Sequence, residues 1–241
     1  YNNNDCPGAT PSFEKYLASF PAGSFKTDAN YNLAQCFQKT KDFPNALKYY
    51  SVVSNSGLSK YYEKSVLEAA RINYFELKNY TEAKKQFELL RTNAVNQDNQ
   101  LEALRGLVRS YYQTKDYSEA NNIAKELLTK KGLSTDDKAI ANLVLGKSLQ
   151  ASNQYDQAIT AYKAVAAINK AAWGAEARYE IANSYYAMNN LAAAEKAGLA
   201  VIKETGSYDY WVAKAYILLG DVYMQQKDYF NAKATYQSVA A

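Results

Sequence analysis

K-D-Y-S-E-A, residues 115–120, is one of six versions of a single phrase, and the recurrence of that phrase decides the fold. The others are K-D-F-P-N-A (41–46), K-N-Y-T-E-A (78–83), N-Q-Y-D-Q-A (153–158), N-N-L-A-A-A (189–194) and K-D-Y-F-N-A (227–232). Their closing alanines, joined by Ala9, form a ladder of Ala9, Ala46, Ala83, Ala120, Ala158, Ala194 and Ala232, at intervals of 37, 37, 37, 38, 36 and 38 residues. A period of this length marks stacked supersecondary units, each of which buries its apolar face against its neighbours.

Outward from each alanine the same residue types return. Twelve positions upstream stand Ala34, Arg71, Val108, Gly146, Ala182 and Gly220, small in four of six cases. Nine upstream come Phe37, Tyr74, Tyr111, Leu149, Tyr185 and Tyr223, and four downstream Phe13, Tyr50, Phe87, Ala124, Tyr162, Gly198 and Tyr236. Two antiparallel helices per unit explain these spacings. The first begins near Ala29, Val66, Ala103, Ala141, Ala177 or Ala215 and runs for about three turns, with apolar residues at i, i+4 and i+8. A polar turn such as Thr114-Lys115-Asp116 follows, and Thr81, Ser118 and Asp156 stand where they would cap the second helix. Small residues let the helix axes approach closely, and aromatics fill the flanks.

Composition agrees with a thin, surface-rich stack. The 241 residues are 48% hydrophobic, with a mean hydropathy of −0.47 and 23 Tyr against 8 Phe and 2 Trp. Tyrosine buries a ring while its hydroxyl reaches a polar partner. The net charge of +4 is far from the concentrated basic stripe of a nucleic-acid binder, so no nucleic-acid partner is expected. No apolar run approaches the roughly 18 residues of a membrane-spanning helix, so no direct insertion into a membrane is expected either. The absence of histidine removes the commonest general base and the commonest metal ligand.

Motifs that carry chemistry are equally sparse. Gly146-Lys147-Ser148 ends like a phosphate-binding loop, but Ala141 stands where that loop needs glycine, and the triplet falls mid-helix. Asp136-Asp137 reads as helix-start charge. Cys6 and Cys36 read as small core residues, and their spacing leaves open whether they pair. The reading is of a non-enzymatic chain without catalytic residues, metal ligands or cofactor.

Leu219, Gly220 and Tyr223 match the L-G-x2-Y part of the tetratricopeptide pattern, and Ala9, Phe13 and Pro21 match its A-x3-F…P part. The chain resembles that family in register over nearly its whole length. The resemblance implies a right-handed α-solenoid of antiparallel helix pairs, about six full pairs plus a leading half repeat. It reads as a single superhelical domain over 1–241, cut from a longer array. The departures are a period near 37 instead of about 34, which predicts longer inter-unit loops or second helices, and the absence of the early Trp. Arg71 and Val108 at a small-residue position predict looser packing there.

In this family the first helices line a groove. Carried over, its positions here are Tyr31, Gln35, Glu68, Phe75, Arg105, Arg109, Tyr112, Lys147, Tyr179, Asn183, Tyr186, Lys214 and Asp221. Arg105 and Arg109 share a helix face and, with Tyr112 beside them, would hold a carboxylate. The family's Lys/Asn clamp for chaperone tails is not reproduced, since Tyr179 stands one turn before Asn183. The expected partner is a protein or peptide. Y-L-A-S-F-P-A-G-S-F (16–25) and A-N-Y-N-L-A (29–34) resemble repeats of bacterial cell-envelope tetratricopeptide proteins of the Tol-Pal coordinator and outer-membrane assembly lipoprotein types. That likeness implies a periplasmic or outer-membrane-associated scaffold, with a cytoplasmic one as the alternative. Two rival roles are a self-associating platform built through uncapped ends and an accessory domain of a larger enzyme.

Overall fold

The computed structural model describes residues 5–206 and 208–240, and within them it holds thirteen α-helices, one π-turn and no strand. Two compact units divide the chain between Thr114 and Lys115. In the first, α1 (Cys6–Ser19) precedes the pair α2 (Lys26–Lys39) and α3 (Phe43–Asn55). The next pair is α4 (Tyr62–Arg71), prolonged by a π-turn (Ile72–Glu76), with α5 (Tyr80–Asn93), and α6 (Gln97–Gln113) closes the unit. In the second, α7 (Tyr117–Leu128) precedes three pairs: α8 (Thr135–Ala151) with α9 (Tyr155–Ile168), α10 (Ala172–Ala187) with α11 (Leu191–Glu204), and α12 (Asp209–Gln225) with α13 (Tyr229–Ala240). Inside each unit every helix packs against its predecessor and its successor.

The ladder alanines lie in the packing between helices. All from Ala46 to Ala232 are buried, while Ala9 on α1 is only half-buried. Small partners are required across the pair: a Cβ at Gly146 would come within 2.5 Å of the Tyr162 ring, and one at Gly220 within 2.3 Å of that of Tyr236. Tyr50 and Tyr162, both fully buried, keep their hydroxyls satisfied by donating to Gln38 Oε1 and Gln150 Oε1 at 2.5 Å. The first helices run to 17 residues in α6, α8 and α12 and 16 in α10, though only 14 in α2, against 12 to 14 in the second helices. Residues 20–25, 56–61 and 129–134 form six-residue connections between pairs. These first helices exceed the three turns the spacing suggests, and the second helices are not the lengthened ones.

The turn inside each pair is built one way throughout. Lys41, Lys78, Lys115, Asn153, Asn189 and Lys227, each five residues before a ladder alanine, adopt φ between 55° and 62°. This left-handed residue ends the first helix, and the amide after it reaches back, as Asp42 N does to Phe37 O at 2.8 Å. The second helix then starts on Asp42, Asn79, Asn190 or Asp228, whose side chains accept from the amide three residues on. Caps therefore stand four residues before the alanine. Thr81, Ser118 and Asp156 lie inside the first turn of their helices, because the aromatic of the phrase already occupies the first helical position.

Unit two of the repeat departs from its siblings. Leu77 N bonds to Ile72 O and Asn79 N to Asn73 O, one residue wider than the matching bonds elsewhere, so α4 carries one residue more than the ladder count assumes. Upstream of the π-turn the register shifts by one. Ala70, fully buried, takes the small close-packing position, and Arg71 turns outward. Packing there is not loosened, and Val108 is likewise fully buried.

Cys6 and Cys36 form a disulfide with their Cα atoms 5.2 Å apart. It joins α1 to α2, and Cys6 is the one buried residue of α1.

Candidate binding groove

The outward face of the first helices in the first unit carries a continuous polar relay. Tyr50 donates to Gln38, and Gln38 Nε2 donates to Glu68 Oε2 at 2.8 Å. Arg71 then bridges two carboxylates, Glu68 at 3.1 Å and Glu102 at 2.9 Å, and Arg105 closes on Glu102 at 2.6 Å. Burial works against these charges, but the pairing prevails. The neighbouring guanidinium groups hold Glu102 below its ordinary pKa, and Glu102 and Glu68 hold Arg71 above its own.

Beyond the relay lies a cleft of about 190 Å³ between the π-turn and α6. It is lined by Arg71, Arg105 and Arg109 together with Tyr74, Phe75 and Phe87, with Glu102 the one carboxylate in the lining. Gly106 makes room for the Phe87 ring, since a Cβ there would come within 2.3 Å of it. Arg109 forms no ion pair among the described residues, and its charge is felt by the Tyr74 hydroxyl, which burial pushes above its ordinary pKa. Arg71 and Arg105 are paired with Glu68 and Glu102, so the excess positive charge of the cleft is that of Arg109, beside a Phe75 that is 48% exposed. Chemically this is a seat for an anionic group flanked by an apolar or aromatic one.

The structure thus brings Phe75, Arg105 and Arg109 together, with Glu68 at the edge of the same network. Tyr112 does not line the cleft, and Tyr74 and Phe75 supply its aromatic wall. Arg71 is the residue the sequence reading omitted. With the register shift it is the counterpart of Gln35, Arg109, Lys147, Asn183 and Asp221, each eleven residues before its ladder alanine. In the first pair Tyr31 is buried, stacks on Tyr61 with centroids 4.3 Å apart, and accepts from Gln35 Nε2 at 2.9 Å. A larger hollow of about 500 Å³ on α5 has mutually satisfied polar groups: Tyr111 donates to Glu88 at 2.9 Å, and Lys84 lies over the Tyr111 ring.

In the second unit Lys147 pairs with Glu176, and Asn183 and Gln150 both donate to Glu180 at 3.1 Å. Tyr186 accepts from Gln225, and Asp221 accepts from Tyr236 at 2.6 Å. Lys214 rests on the Tyr179 ring. Among the described residues no helix is long and apolar enough to cross a membrane, and no three metal-ligating side chains cluster.

Family models for the tetratricopeptide repeat match residues 28–56, 143–210 and 213–240, together just over half of the chain. The chain is a tetratricopeptide repeat protein. Solved tetratricopeptide structures share its fold. The C-terminal part of a repeat-containing protein from Cytophaga hutchinsonii has a TM-score of 0.70 at 14% identity, covering 99% of this chain and 90% of that one. A tetratricopeptide protein from Parabacteroides merdae gives 0.56 at 17%, covering 99% and 87%. YrrB, described as a tetratricopeptide protein with an unusual peptide-binding site, gives 0.61 at 17%, covering 83% and 95%. No curated protein matches the sequence significantly. As in other tetratricopeptide arrays, the alanine ladder here belongs to the packing between helices, and the outward residues of the first helices differ from unit to unit.

Proposed function

We propose that this tetratricopeptide protein is a non-catalytic scaffold that binds a peptide or protein segment along its first-helix faces, with an acidic group seated in the cleft beside the π-turn. The observation that carries this reading is the Arg109 guanidinium, which has no ion pair among the described residues and lines the cleft next to the exposed Phe75. Arg71 and Arg105 are held beside it by Glu68 and Glu102. The peptide-binding site named for YrrB supports the general mode, not the partner. A peptide-display selection tests it, and acidic residues adjacent to an aromatic or aliphatic residue are the expected enrichment. Arg109→Glu, with or without Arg105→Glu, then abolishes capture of the selected peptides, and capture unchanged by the double substitution overturns the proposal.

A bacterial cell-envelope setting, periplasmic or outer-membrane-associated, belongs to the same proposal. Its support is the Cys6–Cys36 disulfide, because such bonds persist in oxidising compartments and are rare in the cytosol. Thiol trapping of the native protein in cells tests it. Fully reduced cysteines in the cytosolic fraction would contradict it.

Self-association is a second reading, favoured by the exposed Tyr229 and Phe230 on α13, 62% and 83% accessible. Light scattering over a concentration series decides between the two. A mass that rises with concentration and falls with Phe230→Glu favours assembly.

A further inference from the structure

The second unit contains an aromatic cage that the acidic-peptide reading does not use. Tyr179 of α10 and Tyr210 and Trp211 of α12 converge on one point, and the Lys214 ammonium occupies it. Its Nζ lies 4.9, 5.4 and 5.3 Å from the centroids of the three rings. The walls meet at angles: Trp211 is 5.5 Å from Tyr179 at 36° and 4.8 Å from Tyr210 at 77°. One ring under a lysine is ordinary on a protein surface, whereas three rings around one cation make a cage.

Several features point beyond a structural role for the lysine. Lys214 has no ion pair among the described residues, and the groups that its ammonium lies over are the three rings. The cage has a buried floor and an open lip, Tyr179 being 9% and Tyr210 64% exposed. Its fixed surroundings are acidic. Burial, then the charge of Glu180, then Tyr210 and Asp221 push the Tyr179 hydroxyl up to about 12. A primary ammonium is strongly hydrated and leaves the rings for water easily. Guanidinium and alkylated ammonium groups are weakly hydrated and gain more from the same rings.

We propose that Tyr179, Tyr210 and Trp211 form a binding site for a weakly hydrated organic cation, a guanidinium or an alkylated ammonium group, in which Lys214 is a displaceable resident. The site stands in the other unit from the arginine cleft, and its fate is independent of the acidic-peptide reading.

The test uses Trp211 as reporter in the full chain carrying Trp173→Phe, which leaves it the single tryptophan. Choline and N-acetylarginine amide are titrated at constant ionic strength, with sodium chloride as the blank. Expected is a saturable fluorescence change that becomes roughly tenfold tighter in Lys214→Ala and disappears in Tyr210→Ala. Tyr210 is mostly exposed, so that variant keeps the fold, as far-UV circular dichroism verifies. Tighter binding of choline identifies a free quaternary ammonium ligand, and tighter binding of the arginine probe identifies a partner's side chain. No saturable response to either probe in Lys214→Ala overturns the proposal, as does an unchanged response in Tyr210→Ala or equal affinity with and without Lys214.

Discussion

Arg71 of α4 donates to Glu102 of α6 across 2.9 Å because the chain between Arg71 and its ladder alanine holds one residue too many. Without the π-turn at Ile72–Glu76, Arg71 would stand at the close-packing position that Ala34 and Ala182 fill in other pairs. With it, Ala70 packs and the guanidinium joins two carboxylates on the outward face.

That pair makes stability depend on pH in a definite direction. Glu102 titrates below its ordinary value of 4.5 in the folded protein, so on acidification the unfolded chain takes up the proton first. The contribution is full above about pH 4.5 and is lost as pH falls through the folded value. Arg71 and Glu102 side chains are 41% and 30% exposed, so the coupling is worth about 0.5–1 kcal/mol. Urea unfolding at neutral pH and near pH 3 measures it, and Glu102→Gln shows a shallower loss than the parent.

Deleting Phe75 removes the extra residue and restores regular i→i−4 bonding through the end of α4. The variant keeps its helicity, and its melting temperature stays within a few degrees of the parent. Its capture of acidic peptides falls. Deleting Ala69 instead moves the start of α4 out of register with its neighbours, and this variant unfolds at markedly lower temperature.

Much of the fold is legible from spacing alone, since packing between helices demands small and aromatic residues at fixed positions. The π-turn is not legible, because the interval from Ala46 to Ala83, with the extra residue in it, is 37, the same as the intervals on either side. Its trace was the arginine at a small-residue position, with an alanine immediately before it. Turn chemistry was half visible: the recurring Lys or Asn before the second helix is plain, but nothing in a lysine announces positive φ. The aromatic cage escaped for another reason. Tyr179 and Lys214 stand at recognisable positions, but their meeting with Tyr210 and Trp211 depends on how one pair sits on the next.

The left-handed lysines leave stability unrealised. A residue with a Cβ in that region costs about 1 kcal/mol, which glycine avoids. Lys41→Gly therefore raises stability by up to about 0.5–1 kcal/mol, whereas Lys41→Val lowers it by about 1–2 kcal/mol. Thermal melts of the two variants read opposite shifts.

Breaking the disulfide releases α1. The bond closes a span of 30 residues, so its loss costs about 3–4 kcal/mol of local stability in the chain-entropy model. Beyond it, α1 is tied to the next segment by the Phe25 amide donating to Tyr16 at 3.1 Å. In Cys36→Ser, or under reductant, hydrogen exchange in α1 accelerates while α5 and α6 keep their protection.

Gly106→Ala tests the cleft from within. The added methyl displaces the Phe87 ring, which is 3% exposed, at a cost of about 1–3 kcal/mol. Acidic-peptide capture drops with it, whereas choline titration at the cage is unaffected.

The π-turn acts on this repeat as a frameshift acts on a message. Everything from Ala83 onward stays in phase with the ladder, while the ten residues of α4 are shown to the outside in a different reading. A repeat protein can in this way acquire a new surface through one inserted residue, leaving every core position to be filled by residues it already had.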